Sequence, residues 1–306
     1  MVDLSIIVVS FNTKVLTLEA ISSVFQQTVG VSFEVIVVDN ASSDGSSEEI
    51  AKKFPQVNLI SLNENIGFGA ANNLAAKSAS GEILLLLNPD TVVLDGAIQK
   101  LFSFSKNTPH ALIWGGRTVF SDGTLNPASC WRHVTLWEIF CRSFCLTWLF
   151  PNSAVFNTGG YGGWDRSTIR NVDIVSGCFF MISIEFWKTL GGFSPLFFMY
   201  AEEADLCMRA SKLGARPMVT PDATIIHYGG ASETVRSDKM VRILNAKRLL
   251  IRNHWPSWKY KLGMIIYPIY PLSRLLPLAI SDLFTNGSNP TAKIWREVWS
   301  RRKEWL

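Results

Sequence analysis

Apolar runs of four or five residues, all but one unbroken, recur through the first third of the chain, and each gives way abruptly to polar residues. Ile6-Ile7-Val8-Val9 passes into Ser10-Phe11-Asn12, Val35-Ile36-Val37-Val38 into Asp39, Leu59-Ile60-Ser61-Leu62 into Asn63, and Ile83-Leu84-Leu85-Leu86-Leu87 into Asn88-Pro89-Asp90. Runs that do not alternate mark strands covered on both faces, as in a parallel sheet. Between them the spacing turns helical, at Leu18, Ile21 and Phe25 and again over 70–79. A β-α-β-α order predicts an α/β, Rossmann-like, mostly parallel sheet flanked by helices. Ligands of such sheets gather beyond the carboxyl ends of the strands, where these polar residues stand.

The pattern loosens further on. A strand is predicted over 112–119, a helical stretch rich in Trp, Cys and Phe over 130–150, and a mobile glycine loop over 157–163. One long apolar strand follows at 172–182, then a helix over 202–213 closed by Gly214, a short strand at Thr224-Ile225-Ile226-His227, and a basic helix over 238–254. The apolar stretch 262–280 is interrupted by Pro268, Pro271, Arg274 and Pro277. A spanning helix wants about 20 mostly apolar residues, so this stretch is expected to lie in a membrane interface, anchored by Trp and Lys/Arg. The alternative is a core helix of a small C-terminal subdomain. The domains expected are therefore 1–235 and 236–306.

Charge sharpens that division. Net charge is +4, yet residues 236–306 hold 14 Lys/Arg against 4 Asp/Glu, together with Trp255, Trp258, Trp295, Trp299 and Trp305. An apolar stretch beside this basic aromatic end points to an anionic membrane surface and away from nucleic acid. The 48% apolar content and mean hydropathy of +0.18 exclude a disordered chain. Five cysteines, odd in number and without a Cys-x-x-Cys pair, argue against a disulfide framework or zinc ribbon and for a reducing compartment. The first apolar run has no positively charged residues ahead of it, so no signal peptide is expected.

Five places carry candidate chemistry. Asp39, at a strand end, is placed to accept the imide N–H of a uracil or thymine ring, or to cap its own turn. In Asn65-Ile66-Gly67-Phe68-Gly69-Ala70-Ala71-Asn72 the glycines allow close backbone approach ahead of a helix start that attracts phosphate. Asp90 in Asn88-Pro89-Asp90-Thr91 suits Mg²⁺ or Mn²⁺, hard cations that bridge diphosphates. Three acids, Glu202, Glu203 and Asp205, crowd the first turn of a helix. Glu203 shares the side of Leu206, Ala210 and Leu213, at a helix end that favours its ionised form and suits it to be a general base. His227 ends a strand and is placed to complete a metal site with Asp90 or to hold a phosphate.

Taken in order, these stretches resemble the family-2 glycosyltransferases, which have the GT-A fold. The match runs over Val9-Ser10-Phe11-Asn12, Asp39-Asn40-Ala41-Ser42-Ser43-Asp44, Asn65-Ile66-Gly67-Phe68-Gly69, Leu87-Asn88-Pro89-Asp90-Thr91, residues 198–209, and His227-Tyr228-Gly229-Gly230-Ala231-Ser232. Within the family it is most similar to bacterial rhamnosyltransferases. The resemblance implies that Asp39 contacts the nucleotide base, that Asn88 and Asp90 stand where the metal-binding Asp-x-Asp motif has its acids, and that His227 assists at the metal or diphosphate. It puts Glu203 at the catalytic base, a position usually held by Asp, with Glu202 and Asp205 as alternates. Ser10, Asn12, Asn65, Gly67 and Asn72 complete the implied substrate site. The implied reaction is metal-dependent inversion, with Mg²⁺ or Mn²⁺ as cofactor, dTDP-rhamnose as donor and a polyprenyl-diphosphate-linked saccharide as acceptor. It would build O-antigen or cell-wall polysaccharide, peripherally, at the cytoplasmic face of the inner membrane. The Gln-x-x-Arg-Trp motif of processive relatives is missing, which implies single additions. Other UDP- or GDP-sugars, or a non-catalytic membrane scaffold, are the competing expectations.

Overall fold

The computed structural model describes residues 2–229, 235–284 (279–284 by backbone alone) and 289–306; Gly230-Ala231-Ser232 of the last motif lie outside the described residues. The chain divides into two compact units. One comprises Met1–Trp131 and Asp165–Ser232, the other Arg132–Trp164 and Glu233–Leu306. The second unit is thus wider than the expected 236–306, because the aromatic stretch after Trp131 packs with the C-terminal helices.

In the first unit, strands β1 (Leu4–Ser10), β2 (Phe33–Asp39), β3 (Asn58–Ser61) and β4 (Ile83–Leu87) alternate with helices α1 (Lys14–Gln27), α2 (Ser46–Lys53) and α3 (Phe68–Ser78). Next come β5 (Thr91–Val93), α4 (Ala97–Asn107), β6 (Ile113–Val119) and the two-residue strands β7 (Leu125–Asn126) and β8 (Cys130–Trp131). After the second unit's α5 (Leu136–Ser143) and α6 (Leu146–Leu149), the first resumes with β9 (Arg170–Asn171), β10 (Ile174–Val175), β11 (Phe179–Ser183), α7 (Ile184–Leu190), α8 (Glu202–Lys212) and β12 (Met218–His227). The main sheet runs β3-β2-β1-β4-β11-β6-β12-β5. Its β3-β2-β1-β4 portion is wholly parallel, and β11 enters antiparallel to both β4 and β6. The unbroken apolar runs are explained directly: all seven residues of β1 and all five of β4 are buried.

One expected strand is two. The run 172–182 is cut by a turn at Ser176-Gly177-Cys178, so β10 pairs with β8 while β11 joins the main sheet. The turn's small and polar residues permit the break; apolar content alone concealed it. The short strand ending at His227 begins earlier than expected, at Met218, and carries a bulge between Val219 and Thr224 around Pro221.

The second unit is helical, with α5, α6, α9 (Arg236–His254), α10 (Ser257–Ile266), α11 (Ile269–Phe284) and α12 (Pro290–Ser300). Pro268 falls between α10 and α11, so the stretch expected to lie in a membrane interface belongs to two helices. Among the described residues no helix is long and apolar enough to cross a membrane. Three of the five tryptophans expected as surface anchors are core residues here. Trp255, Trp295 and Trp305 are buried, Trp305 completely, with its indole N–H donating to the Val298 carbonyl at 3.0 Å and its ring edge-on to Tyr267. A small helical unit needs such large side chains inside, each burying about 150–250 Å².

Candidate active site

The carboxyl ends of the strands set the site. The register pairs Ser10 with Asp39 across β1 and β2 and Val8 with Leu87 across β1 and β4, so Asp39 and the Asn88-Pro89-Asp90 turn leave the sheet along one edge. Between β1 and β4 the chain order reverses, the position where open α/β sheets bind ligands. β11 starts opposite Leu87 and β12 ends with His227 opposite Thr91, which brings Gly177-Cys178 and His227 to the same edge.

A continuous series of contacts joins the predicted residues. Asp39 is buried; its Oδ2 accepts the Ser42 N–H at 3.3 Å while Oδ1 is buried without a hydrogen-bond partner. The next residue, Asn40, donates from Nδ2 to Asn65 Oδ1 at 2.9 Å and accepts the Ile66 N–H on Oδ1 at 3.0 Å. Gly67 has a φ of +86°, and a Cβ there would stand 2.4 Å from the Phe198 carbonyl oxygen. Its glycine is required for backbone to meet backbone at this point. Phe198, whose carbonyl also accepts the Phe68 N–H at 3.0 Å, leads through Tyr200 and Ala201, both left-handed (φ 70° and 68°), into α8. Consecutive left-handed residues other than glycine store strain of the kind that gathers at functional sites.

Glu202 is buried and Glu203 half-buried, and each has an Oε2 that is shut away from water without a partner. Burial raises the pKa of both. The Glu203 charge pushes Glu202 higher still, while backbone N–H groups of residues 203, 177 and 204 hold Glu203 partly back. Burial thus outweighs the helix end that was expected to keep Glu203 fully ionised. Leu213, expected beside it, is exposed as the cap residue beyond α8. Asp205 has other work: Oδ2 accepts Arg209 Nε at 2.7 Å, and Arg209 in turn donates to the carbonyls of Leu190 and Gly192 at the end of α7.

From Glu203 the contacts continue through Gly177 to Cys178, whose carbonyl accepts the Asn88 N–H at 3.1 Å and whose thiol lies on His227. The imidazole Nε2 stands 3.4 Å from Asp90 Oδ1. Burial disfavours its charge, yet Cys178 and Asp90 outweigh burial and push the pKa up to about 10. Asn126 holds the His227 carbonyl at 3.0 Å, and the Asp90 carbonyl accepts the Tyr228 N–H. Among the described residues no three His, Cys, Asp or Glu side chains gather as metal ligands. One carboxylate and one imidazole fit a hard cation that keeps waters and phosphate oxygens in its shell, and do not fit a closed protein cage.

Other predicted contacts serve the fold. The Ser10 hydroxyl is fully buried against Thr17 at 2.8 Å and Thr13 at 3.3 Å, and Asn72 Nδ2 donates to the Phe68 carbonyl inside α3. Asn12 Oδ1 accepts the Ser43 N–H at 2.8 Å, tying the first loop to the second. Asn65 Oδ1 also accepts the Gly67 N–H at 2.9 Å. The sequence reading missed Asn40, Gly177 and Cys178. Asn40 was signalled by its place beside Asp39; the other two were hidden inside an apolar run.

The sheet carries its acids at the carboxyl edge, beside the point where the chain order reverses. Residues 5–187 match the model of glycosyl transferase family 2, and the chain belongs to that family. It is 28% identical over 215 residues to the O-antigen biosynthesis protein RfbC of Myxococcus xanthus, covering 69% of this chain and 16% of the relative. It is 24% identical over 213 residues to N-acetylglucosaminyl-diphospho-decaprenol L-rhamnosyltransferase of Mycobacterium tuberculosis, covering 63% of this chain and 66% of the relative. The chain therefore spans about a sixth of the first relative and just under two thirds of the second. Among solved structures, the mannosyltransferase PcManGT of Pyrobaculum calidifontis, in complex with GDP-Man and Mn²⁺, superposes with a TM-score of 0.59 at 17% identity, over 98% of this chain and 86% of that one. That likeness establishes the GT-A fold.

Proposed function

We propose that this glycosyltransferase is inverting and divalent-metal-dependent, and that it moves rhamnose from dTDP-rhamnose to a polyprenyl-diphosphate-linked saccharide at the cytoplasmic face of the inner membrane, in O-antigen or cell-wall polysaccharide synthesis. The observation that carries the reading is the Glu203 carboxylate, raised in pKa, with one oxygen partnerless, joined through Gly177 and Cys178 to the Asp90–His227 pair. A base poised nearer neutrality takes a proton more effectively than an ordinary surface acid. The Glu203 carboxylate removes the proton of the acceptor hydroxyl, whose oxygen attacks the anomeric carbon from the face opposite the nucleotide, and the bond to the diphosphate breaks. The Asp39 carboxylate accepts the imide N–H of thymine. Asp90 and His227 would hold Mg²⁺ or Mn²⁺, which when bound supplies positive charge to the departing diphosphate. The imidazole gives up its proton when it ligates. The name of the mycobacterial relative supports both rhamnose as the sugar and a lipid-linked acceptor.

Thermal-shift measurement with dTDP-rhamnose, UDP-N-acetylglucosamine and GDP-mannose, each with and without Mn²⁺, tests the donor. Stabilisation is expected from dTDP-rhamnose plus metal, about 2.7 kcal/mol at a hundredfold excess over Kd. Stabilisation by another sugar nucleotide alone replaces rhamnose, and no stabilisation by any of them favours a non-catalytic scaffold.

A further inference from the structure

The C-terminal unit turns large apolar side chains outward in two places. The first is the end of the α5–α6 hairpin, where Trp148, Leu149 and Phe150 are successive and exposed, Trp148 at 69%; α6 buries no residue at all. This tip is not frayed. Trp137 Nε1 donates to the Val155 carbonyl at 2.7 Å, Thr147 Oγ1 donates to the Phe156 carbonyl at 3.0 Å, and the Phe150 and Phe156 rings lie 5.1 Å apart. Hydrogen bonds fix the backbone in a shape that holds its apolar side chains in water.

The second place is α10. Trp258, Leu262 and Ile265 fall at i, i+4 and i+7, so they form one helical face, and all three are exposed, Ile265 at 71%, with Lys261 exposed beside them. Gly263 sits on the buried side, where a Cβ would stand 2.8 Å from the Trp255 ring and 3.5 Å from Leu136. The missing side chain seats α10 against α5, so both apolar features belong to one packed body.

We propose that these two features together dock the protein on an anionic lipid bilayer, with Trp148-Leu149-Phe150 and the Trp258/Leu262/Ile265 face entering the interface. Charge selects this occupant. The C-terminal unit holds 16 Lys/Arg against 6 Asp/Glu, while the first unit holds 13 against 19. A second copy of the chain, meeting this one through the same surface, would bring two strongly basic units together. An anionic bilayer attracts them and accepts tryptophan at its headgroup level. No described helix spans hydrocarbon, so the contact is peripheral. The mid-chain tip makes half of this surface, and neither its charge nor its helical periodicity had marked it. The proposal is independent of which sugar is transferred.

The test is co-sedimentation of the full chain with vesicles of phosphatidylglycerol and phosphatidylcholine, against vesicles of phosphatidylcholine alone. Binding is expected to the first, weakened by added salt, and to be much poorer to the second. Trp148→Ala/Phe150→Ala and Trp258→Ala/Leu262→Ala/Ile265→Ala should each lower the partition coefficient about tenfold or more. Both variants should keep the parental melting temperature and the donor-induced thermal shift, which separates loss of docking from loss of the transferase site. Equal partitioning of parent and variants overturns the proposal, as does equal binding to the two vesicle types. A parent that fails to sediment with vesicles and is a dimer, made monomeric by the same substitutions, assigns the surface to a second copy instead.

Discussion

At the start of α8, Glu202 and Glu203 stand side by side with no ion pair among the described residues, and burial raises the pKa of each. In the C-terminal unit, Glu138 is as deeply buried as Glu202, but Arg142 Nε and Lys247 Nζ reach its Oε1 at 2.8 Å and 3.2 Å. There burial is outweighed by Lys247 and then Arg142, and the pKa of Glu138 is lowered. The same side chain in two buried settings is thus driven in opposite directions by what faces it. A cation-matched acid is fixed as a carboxylate and serves packing. An acid matched only by another acid is left with a proton that it can exchange, the property a general base needs.

The largest effect that would break this contrast comes from Glu203→Gln. The amide keeps the shape and cannot take a proton, so transfer to acceptor should fall about 10²- to 10⁴-fold while the melting temperature holds or rises. Steady-state transfer assays with calorimetry on the same sample check both halves. Transfer at the parental rate would remove Glu203 from the chemistry and make the acidic pair merely an expensive helix start.

Glu138→Gln should do the reverse. It strips the counter-charge from Lys247, itself half-buried and already lowered in pKa by burial, and leaves Arg142 facing it. Removing one partner of this partly exposed cluster should cost about 1–3 kcal/mol, readable as a shift of the urea midpoint. At a temperature where the variant stays folded, its donor-induced thermal shift should be retained. A destabilisation well below 1 kcal/mol would mean that water reaches the cluster and that Glu138 is not the matched member of the comparison.

How much of this was legible beforehand differs between the two regions for a physical reason. Asp39, Asp90, Glu203 and His227 each end a strand or open a helix, and a polar residue beside an unbroken apolar run is visible in one dimension. So was the parallel half of the sheet. Gly177 and Cys178 were not, because their meaning lies in partners such as Glu203 and His227 that are far along the chain, and their turn interrupts a run that reads as one strand. Glu138 and Lys247 are 109 residues apart. Neither shows, by itself, that it is buried or that it meets the other. Trp255, Trp295 and Trp305 misled for the opposite reason: a basic, aromatic segment has the composition of a membrane anchor whether its rings face lipid or one another.

Stability against pH should separate the two acidic sites again, with a smaller amplitude. Glu138 has a lowered folded pKa, so its contribution is present above the ordinary glutamate value of 4.5 and is lost as pH falls through the folded value. Glu202 and Glu203 have raised folded values. In the window above 4.5 the native state keeps protons that the unfolded chain has released, so their contribution is lost as pH rises through the folded pKa. Each group adds a slope of at most about 1.4 kcal/mol per pH unit. Urea titrations across pH should therefore show an acid limb that flattens in Glu138→Gln and a decline above pH 4.5 that flattens in Glu202→Gln.

That last substitution is also the finest probe of the division of labour within the pair. Glu202 is pushed further than its neighbour, by burial and by the Glu203 charge, so of the two it is the member that keeps its proton to higher pH. An amide is close to a protonated carboxyl in shape and in charge. Glu202→Gln should therefore change transfer by only a few-fold, and its stabilising effect on the fold should grow as pH rises above 4.5. It should leave the acid limb of the transfer profile in place, because Glu203 ionises first, beside a Glu202 that is still neutral. If Glu202→Gln instead abolished transfer while Glu203→Gln spared it, the roles would be exchanged: the exchangeable proton would belong to the more deeply buried acid, and the half-buried one would be the residue that tunes it.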